Sequence, residues 1–479
     1  MITTALALGL VWVNGAAMAS EELAWPLDPP KVITSSFGEY RAGRFHAGID
    51  LRISRIGAEA YACGSGYISR VRCSPFGYGK AVYLTLDAGG SAVYAHLDDF
   101  TPEVLAYVRE EQHQRRSYSV DLEPEPGRFR VERGAIVAYA GSSGTSAPHL
   151  HFEPRDAGNR PINPRLLGMS WPDSTAPVFR SLLMVPADAQ STVNGDILPV
   201  ALPVQSSEPG RYTVSPVRLS GHVGLGADVI DPANEGSSIL GAYILRTVID
   251  GSTVFEIRND YLSYETMGHG TVAWLPFLTA EGRYQALWRW PGNQSDNYQV
   301  APADGWIDAP QEPSALRVEA LDFFGNTATV EMPIEPDGSV ADPVDASGVG
   351  EGSVTLYCHG TWLGIRAVFQ APEPDVPVLH VTAGERSPIP EFRRVNDRVF
   401  AAGYDPGPPG GMVVIQVTHP RITAYTEQVA VFIRGTTSEP YEVAGLTVKP
   451  GINSAFGALF ARIHEMPEAK ASGDLMKLA

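Results

Sequence analysis

Cysteine is scarce: Cys63, Cys73 and Cys358 are the only three in 479 residues. They allow one disulfide at most and leave a thiol over. The pair around "CGSGYISRVRC" reads as strand–turn–strand, and a Cys63–Cys73 bridge, permitted by export, stands level with two free buried thiols. Positive charge is also short, with 36 Lys and Arg against 54 Asp and Glu and a net charge of −18. The deficit is uneven. Residues 1–173 carry 17 basic against 19 acidic side chains, and the remainder 19 against 35. A near-neutral first third followed by an acidic remainder excludes nucleic acid as a natural partner. Long apolar runs are missing after the N-terminus, so no later segment is expected to span a membrane. Long helical patterns are few as well.

Residues 1–20, "MITTALALGLVWVNGAAMAS", are apolar and end on the small residues Ala17-Met18-Ala19. This pattern resembles a secretory signal peptide over 1–19, although the stretch has no Lys or Arg. An uncleaved anchor is the alternative. The first cysteine lies far beyond, so no lipid-modified cysteine follows the signal. A periplasmic or secreted location is the expectation.

Strand signals dominate the rest. "KAVYLTLDAGGSAVYAHL" reads as two strands around an Asp-Ala-Gly-Gly turn, and "GAIVAYAG" and "PHLHFEP" as further short strands. One helix interrupts them at about 102–114. Thr101 precedes Pro102 at its first position, with Glu103 early and Arg115 and Arg116 late, as the helix dipole prefers. It belongs to an insertion over about 98–133, which either walls a groove beside His96 or is peripheral. From 174 the texture changes to hairpins around Asp250-Gly251 and Gly325-Asn326. The expected division is a first β-rich domain over 20–173, a β-sandwich over 174–336, a linker over 337–353, a second β-rich domain over 354–440 and a tail over 441–479.

In "APHLHFEPRD", His149 and His151 lie two apart, which on a strand places both imidazoles on one face and Leu150 and Phe152 on the other. "FHAGID" supplies His46 and Asp50, and "VYAHL" supplies His96. A catalytic zinc takes three nitrogen or oxygen ligands and keeps a fourth position for water. His46, Asp50 and one of the 149/151 pair make such a set. The two histidines left over are placed to position the water or stabilise an oxyanion. His113 reads as solvated, and "CHG" at 358–360 has no partners. "GSSGTSAP" reads as the turn that delivers the histidine strand, and Glu153 shares the face of His151.

The blocks "SSFGEYRAGRFHAGIDL", "YACGSGYISRV", "GYGKAVYLTL", "VYAHL", "GAIVAYAGSSGTSAPHLHFEPRD" and "INPRLLG", in that order, resemble the lysostaphin/LytM-like zinc metallopeptidases that cut peptidoglycan peptides. The resemblance covers roughly residues 30–168. It implies one Zn2+ per chain held by His46, Asp50 and His151, with His96 and His149 as catalytic histidines that do not bind metal. It also implies peptidoglycan peptides as substrate. The fold expected is mostly β, an antiparallel LytM-like catalytic sheet with a helical insertion, followed by one or two β-sandwich (Ig-like) domains. An envelope protein partner acting through the β domains is a further expectation. The family includes members that have lost ligands and act as non-catalytic envelope regulators or scaffolds. All five positions are present here, which favours the enzyme.

Overall fold

The computed structural model describes residues 22–41, 43–232, 239–275, 283–290, 293–338, 350–359, 362–382, 390–405, 410–433, 441–443, 446–448 and 458–462. The expected signal at 1–19, most of the expected linker and most of the expected tail lie outside these residues. The chain is mostly β and multi-domain. Among the described residues, no helix is long and apolar enough to cross a membrane.

The first unit is built from β1 (Ile33–Ser35), the short hairpin β2 (Tyr40–Arg41) and β3 (Arg44–Phe45), β4 (Ile49–Leu51), β5 (Ala58–Tyr61), β6 (Gly66–Cys73), β7 (Lys80–Leu86) and β8 (Ser91–Phe100). The helix α1 (Pro102–Arg115) follows, then β9 (Val120–Leu122), β10 (Arg130–Val131), β11 (Ile136–Ala140) and β12 (Leu150–Arg155). Its main sheet runs β1–β4–β12–β8–β7–β6–β10, and every pairing along it is antiparallel. Alternation along each strand divides the side chains between two faces. Val82, Leu84, Tyr94, Leu150 and Phe152 enter the large core, while Ala81, Tyr83, Val93 and Ala95 form a small cluster on the opposite face. His151, Glu153 and Arg155 therefore share that second face, and the chemistry sits there. Cys63 and Cys73 are free and buried, and burial pushes both thiols up to about 11, so neither is a thiolate at neutral pH.

Helix α1 starts at Pro102, whose missing N–H costs nothing in a first turn. Thr101 flanks it without a side-chain cap bond. Val104 and Val108, four apart on one stripe, enter the large core with Val120, Leu122 and Phe129.

The second unit packs two sheets. One centres on Val178–Pro186 paired with His222–Pro232, the other on Ile244–Ile249, Ser314–Leu321 and Thr327–Pro336. Phe179, Leu182 and Leu225 from the first meet Leu245, Leu316, Val318 and Val330 from the second in one core. On either side of its Ile244–Arg258 hairpin, this unit sends an excursion across to the first unit. Its Leu240, Leu262, Met267 and Ala273 belong to the first unit's core. The seam is hydrogen-bonded too: Gly241 N–H donates to Ser36 Oγ at 2.8 Å, and the Asn163 side-chain amide donates to Asn259 C=O at 2.9 Å. The last unit is an eight-stranded sheet around its own core, which includes Leu363, Ile365, Phe400, Ile415 and Val417.

Candidate metal centre

The His-x-x-x-Asp pair straddles the turn from β3 into β4. His46 follows β3, and Asp50 lies in β4 directly opposite His151 of β12. Gly48 between them is obligatory on packing grounds. A Cβ there would lie 2.5 Å from the Phe152 carbonyl oxygen and 3.0 Å from His151 Cε1.

Three ligand atoms converge. His46 Nε2 lies 3.1 Å from His151 Nδ1 and 3.1 Å from Asp50 Oδ1, and His151 Nδ1 lies 3.0 Å from Asp50 Oδ1. Bonds of about 2.0–2.1 Å at tetrahedral angles require ligand separations of about 3.3 Å. The tautomers agree with a cation between them. His46 Nδ1–H donates to the Ser36 carbonyl at 2.8 Å, and His151 Nε2–H donates to Glu153 Oε2 at 3.1 Å. Since neither acceptor has a proton to give, each neutral ring presents its lone pair inward. Arg41 Nη2 donates to Asp50 Oδ2 at 2.7 Å, which leaves Oδ1 for the cluster. Two lone pairs and a carboxylate buried at such distances repel unless a positive charge lies among them. Without an ion, a proton on His151 takes that place. Burial opposes charge on His151, but the hydrogen bonds to Asp50 and Glu153 outweigh it and raise its pKa to about 9. Burial likewise opposes the Asp50 carboxylate, yet the charges of His46 and His151 and their hydrogen bonds hold it well below the usual carboxylate range. The residues fit a zinc ion.

His96 arrives by a bulge. Tyr94 pairs with Val82 while Leu97 pairs with Lys80, so β8 carries one extra residue there. Tyr94 and Leu97 both enter the core, and His96 is turned out of the alternation toward the cleft. Its φ of 59° lies in the left-handed region, a strained conformation for a non-glycine residue of the kind that gathers at functional sites. The turn at 142–145 fixes the ring: His96 Nδ1–H donates to the Ser143 carbonyl at 2.9 Å. Ser143 Oγ in turn donates to the Leu97 carbonyl at 2.7 Å and accepts from Lys80 N–H at 2.8 Å. Gly144 (φ 71°) passes so close to Gly77 that a Cβ would lie 2.6 Å from the Gly77 carbonyl oxygen. "GSSGTSAP" thus holds His96 as well as delivering β12.

His149 precedes β12 on an isolated bridge to Gly141. Its Nδ1–H donates to the Ala147 carbonyl at 2.8 Å, and its Nε2 stands 3.5 Å from Asp50 Oδ1. The His96 and His149 rings are 4.7 Å apart. Burial lowers the pKa of both, that of His96 to about 4, so both rings are neutral near pH 7 with Nε2 free to accept a proton.

Glu153, which the sequence places on the face of His151 without a role, is fully buried beneath the centre. It accepts from His151, from Arg155 Nε at 2.6 Å, from the Tyr78 hydroxyl at 2.5 Å and from the Tyr264 hydroxyl. Burial would raise its pKa, but the His151 hydrogen bond and Arg155 keep it ionised at about 2. A carboxylate behind a ligand histidine fixes its tautomer and orientation. The period-2 position of Glu153 is the sequence signal for this. Tyr264 has none, since it comes from the excursion of the second unit. Tyr264→Phe removes one of the donors to Glu153 and is expected to weaken the metal affinity of the centre about 10–100-fold, measured by competition with a chromophoric chelator.

The five residues line an open cleft of about 600 Å3 whose walls include Arg41, Arg44, Arg72, Tyr78, Tyr264 and Met267. Nothing from the 98–133 insertion lines it. Of the two expectations for that insertion, the wall is overturned: α1 packs on β8 and β9, where Val104 and Val108 complete the core. The wall is supplied instead by Tyr264 and Met267. Arg109 lies exposed on α1. Arg109→Glu is therefore expected to leave the metal affinity of the cleft unchanged, and a shift in that affinity by chelator competition would return the helix to the cleft.

The sequence matches no protein-family model and no curated protein. Among solved structures, the chain is similar to the catalytic domain, crystallised as a point mutant, of the prophage-encoded M23 protein EnpA from Enterococcus faecalis. The identity is 26% over 30% of this chain and 95% of that one, with a TM-score of 0.23. It is also similar to the human desmocollin-1 ectodomain, at 16% identity over 48% of this chain and 38% of that one, with a TM-score of 0.12. At these scores the likenesses are weak, and the chemistry of the site rests on its own geometry.

Proposed function

We propose that the chain is an exported zinc metalloendopeptidase that hydrolyses peptide bonds of peptidoglycan in the cell envelope. The observation that carries the reading is the convergence of His46, Asp50 and His151 within 3.1 Å, with two further neutral histidines facing the same cleft. Bound by those three residues, zinc would polarise a scissile carbonyl and bring the pKa of a water near 7.

The protein's own groups do the rest. His96 and His149 each offer a fixed Nε2 lone pair, so one accepts the proton of the attacking water. The same imidazole, once protonated, donates to the leaving amine or the oxyanion. Arg41, Arg44 and Arg72 line the cleft of a chain that is otherwise strongly acidic, which suits a substrate bearing free carboxylates, as peptidoglycan stem peptides do. The open groove admits an extended peptide rather than enclosing a small molecule.

Incubating purified protein with structurally defined cross-linked muropeptides, with mass-spectrometric readout, tests this. Cleavage that stops with chelator and returns with zinc supports the reading. A chain that cleaves none of them yet stimulates another wall hydrolase overturns it in favour of a regulator.

A further inference from the structure

A second group of oxygen ligands lies outside the cleft, at the seam where the chain leaves the first unit. Asp173, Asp231 and Asp322 each bring a carboxylate oxygen within 4.8 Å of the others. Two of them have local work. Asp322 Oδ1 accepts from the N–H groups of Phe324 and Asn326, both at 2.8 Å, and its Oδ2 accepts from the Asn326 amide at 2.6 Å. Asp173 Oδ1 accepts from Thr175 N–H at 3.1 Å.

Asp231 is different. It is 4% exposed, and its Oδ1 is sealed from solvent with no hydrogen-bond donor among the described residues. An unmet buried carboxylate oxygen is costly, and native proteins rarely keep one without a partner. All three aspartates line one cavity of about 30 Å3, closed on the first unit's side by Ile33, Phe37 and Ile49. That space suits a single ion or water rather than an organic ligand. Arg165 also lines it: its Nη1 donates to the Met169 carbonyl at 2.6 Å and its guanidinium lies over the Phe324 ring at 4.2 Å, while its buried Nε–H has no acceptor among the described residues.

We propose that Asp173, Asp231 and Asp322 bind one calcium ion at this seam. The set is all oxygen, with no imidazole or thiolate, which selects a hard cation over zinc. Two oxygens on opposite sides of one calcium lie up to about 4.8 Å apart, given bonds of about 2.4 Å. Without an ion, burial beside Asp173 and Asp322 pushes the Asp231 carboxyl up to about 8. A bound cation removes that repulsion and supplies the partner that Oδ1 lacks. It also ties Asp173, at the exit from the first unit, to the two aspartates of the sandwich that carries the Tyr264 excursion.

The test uses the full chain, freed of calcium in zinc-containing buffer. Isothermal titration with calcium is expected to show one site. Terbium added alone is expected to luminesce through Trp171, which lines the same cavity, and calcium is expected to quench that signal by displacement. Asp231→Asn should lower calcium affinity at least tenfold and abolish the calcium-induced rise in Tm, with zinc content unchanged. Should that variant fail to fold, Asp173→Asn, at the less buried end, carries the same expectation. Absence of calcium uptake by the wild type overturns the proposal, as does wild-type uptake in the folded variant.

Discussion

Alanine at position 50 is expected to remove zinc and peptide cleavage together. Asp50 Oδ1 lies within 3.1 Å of both ligand nitrogens, and it carries the negative charge of the three-atom set. Without it, two imidazole lone pairs remain in a buried pocket beside Arg41, which has lost its acceptor. Losing a partner behind a ligand costs about 10–100-fold in affinity or activity, and losing the ligand itself must cost more. Residual cleavage below about 1% of wild type is therefore expected from that scale. Asp50→Asn separates charge from shape: it keeps an oxygen in place but gives up the carboxylate, and its zinc content should also fall. Elemental analysis of both variants, with circular dichroism to confirm the fold, is the check. Full, tightly held zinc in Asp50→Ala would take Asp50 out of the ligand set.

The second large effect separates chemistry from metal binding. His96→Ala and His149→Ala are expected to keep zinc and to lose about 10²–10⁴-fold in rate, the scale of a positioned acid–base group. Loss of an oxyanion partner falls within the same range, about 10²–10³-fold. Neither ring supplies an atom to the three-atom cluster, and each is tied through Nδ1 to a backbone carbonyl that keeps Nε2 directed at the cleft. His96 carries a second consequence. At φ 59°, glycine is the residue the backbone prefers, so His96→Gly should be no less stable than His96→Ala while being equally slow. Wild-type rates in both single variants would contradict the mechanism, and zinc loss in either would make that histidine a ligand.

The candidate metal centre was legible because its residues are local in sequence and obey strand periodicity. His149 and His151 point where alternation sends them, and His46 and Asp50 bracket a glycine that packing demands. His96 was legible as a residue but not in how it reaches the cleft. A period of two would have sent it into the core with Tyr94, and the bulge that redirects it is set by pairing with β7, which no local pattern records. Glu153 was visible on the right face without a role, because its work is to hold His151 rather than to touch substrate. The cleft wall was misplaced for a different reason. The insertion after His96 is adjacent in sequence, whereas Tyr264 and Met267 come from more than a hundred residues past β12 and reach the site only through the packing of one unit on another. Asp231 gave no signal at all, since its interest lies in a burial that only tertiary structure produces.

Zinc K-edge X-ray absorption on the wild-type chain tests the central claim most directly, because it counts ligands without relying on substitutions. Two imidazole nitrogens and two light oxygens, one carboxylate and one water, at about 2.0–2.1 Å, are predicted. Three or four imidazoles, any sulfur shell from Cys63 or Cys73, or a chain that purifies without zinc and does not take it up, would contradict the assignment of His46, Asp50 and His151 as the metal centre.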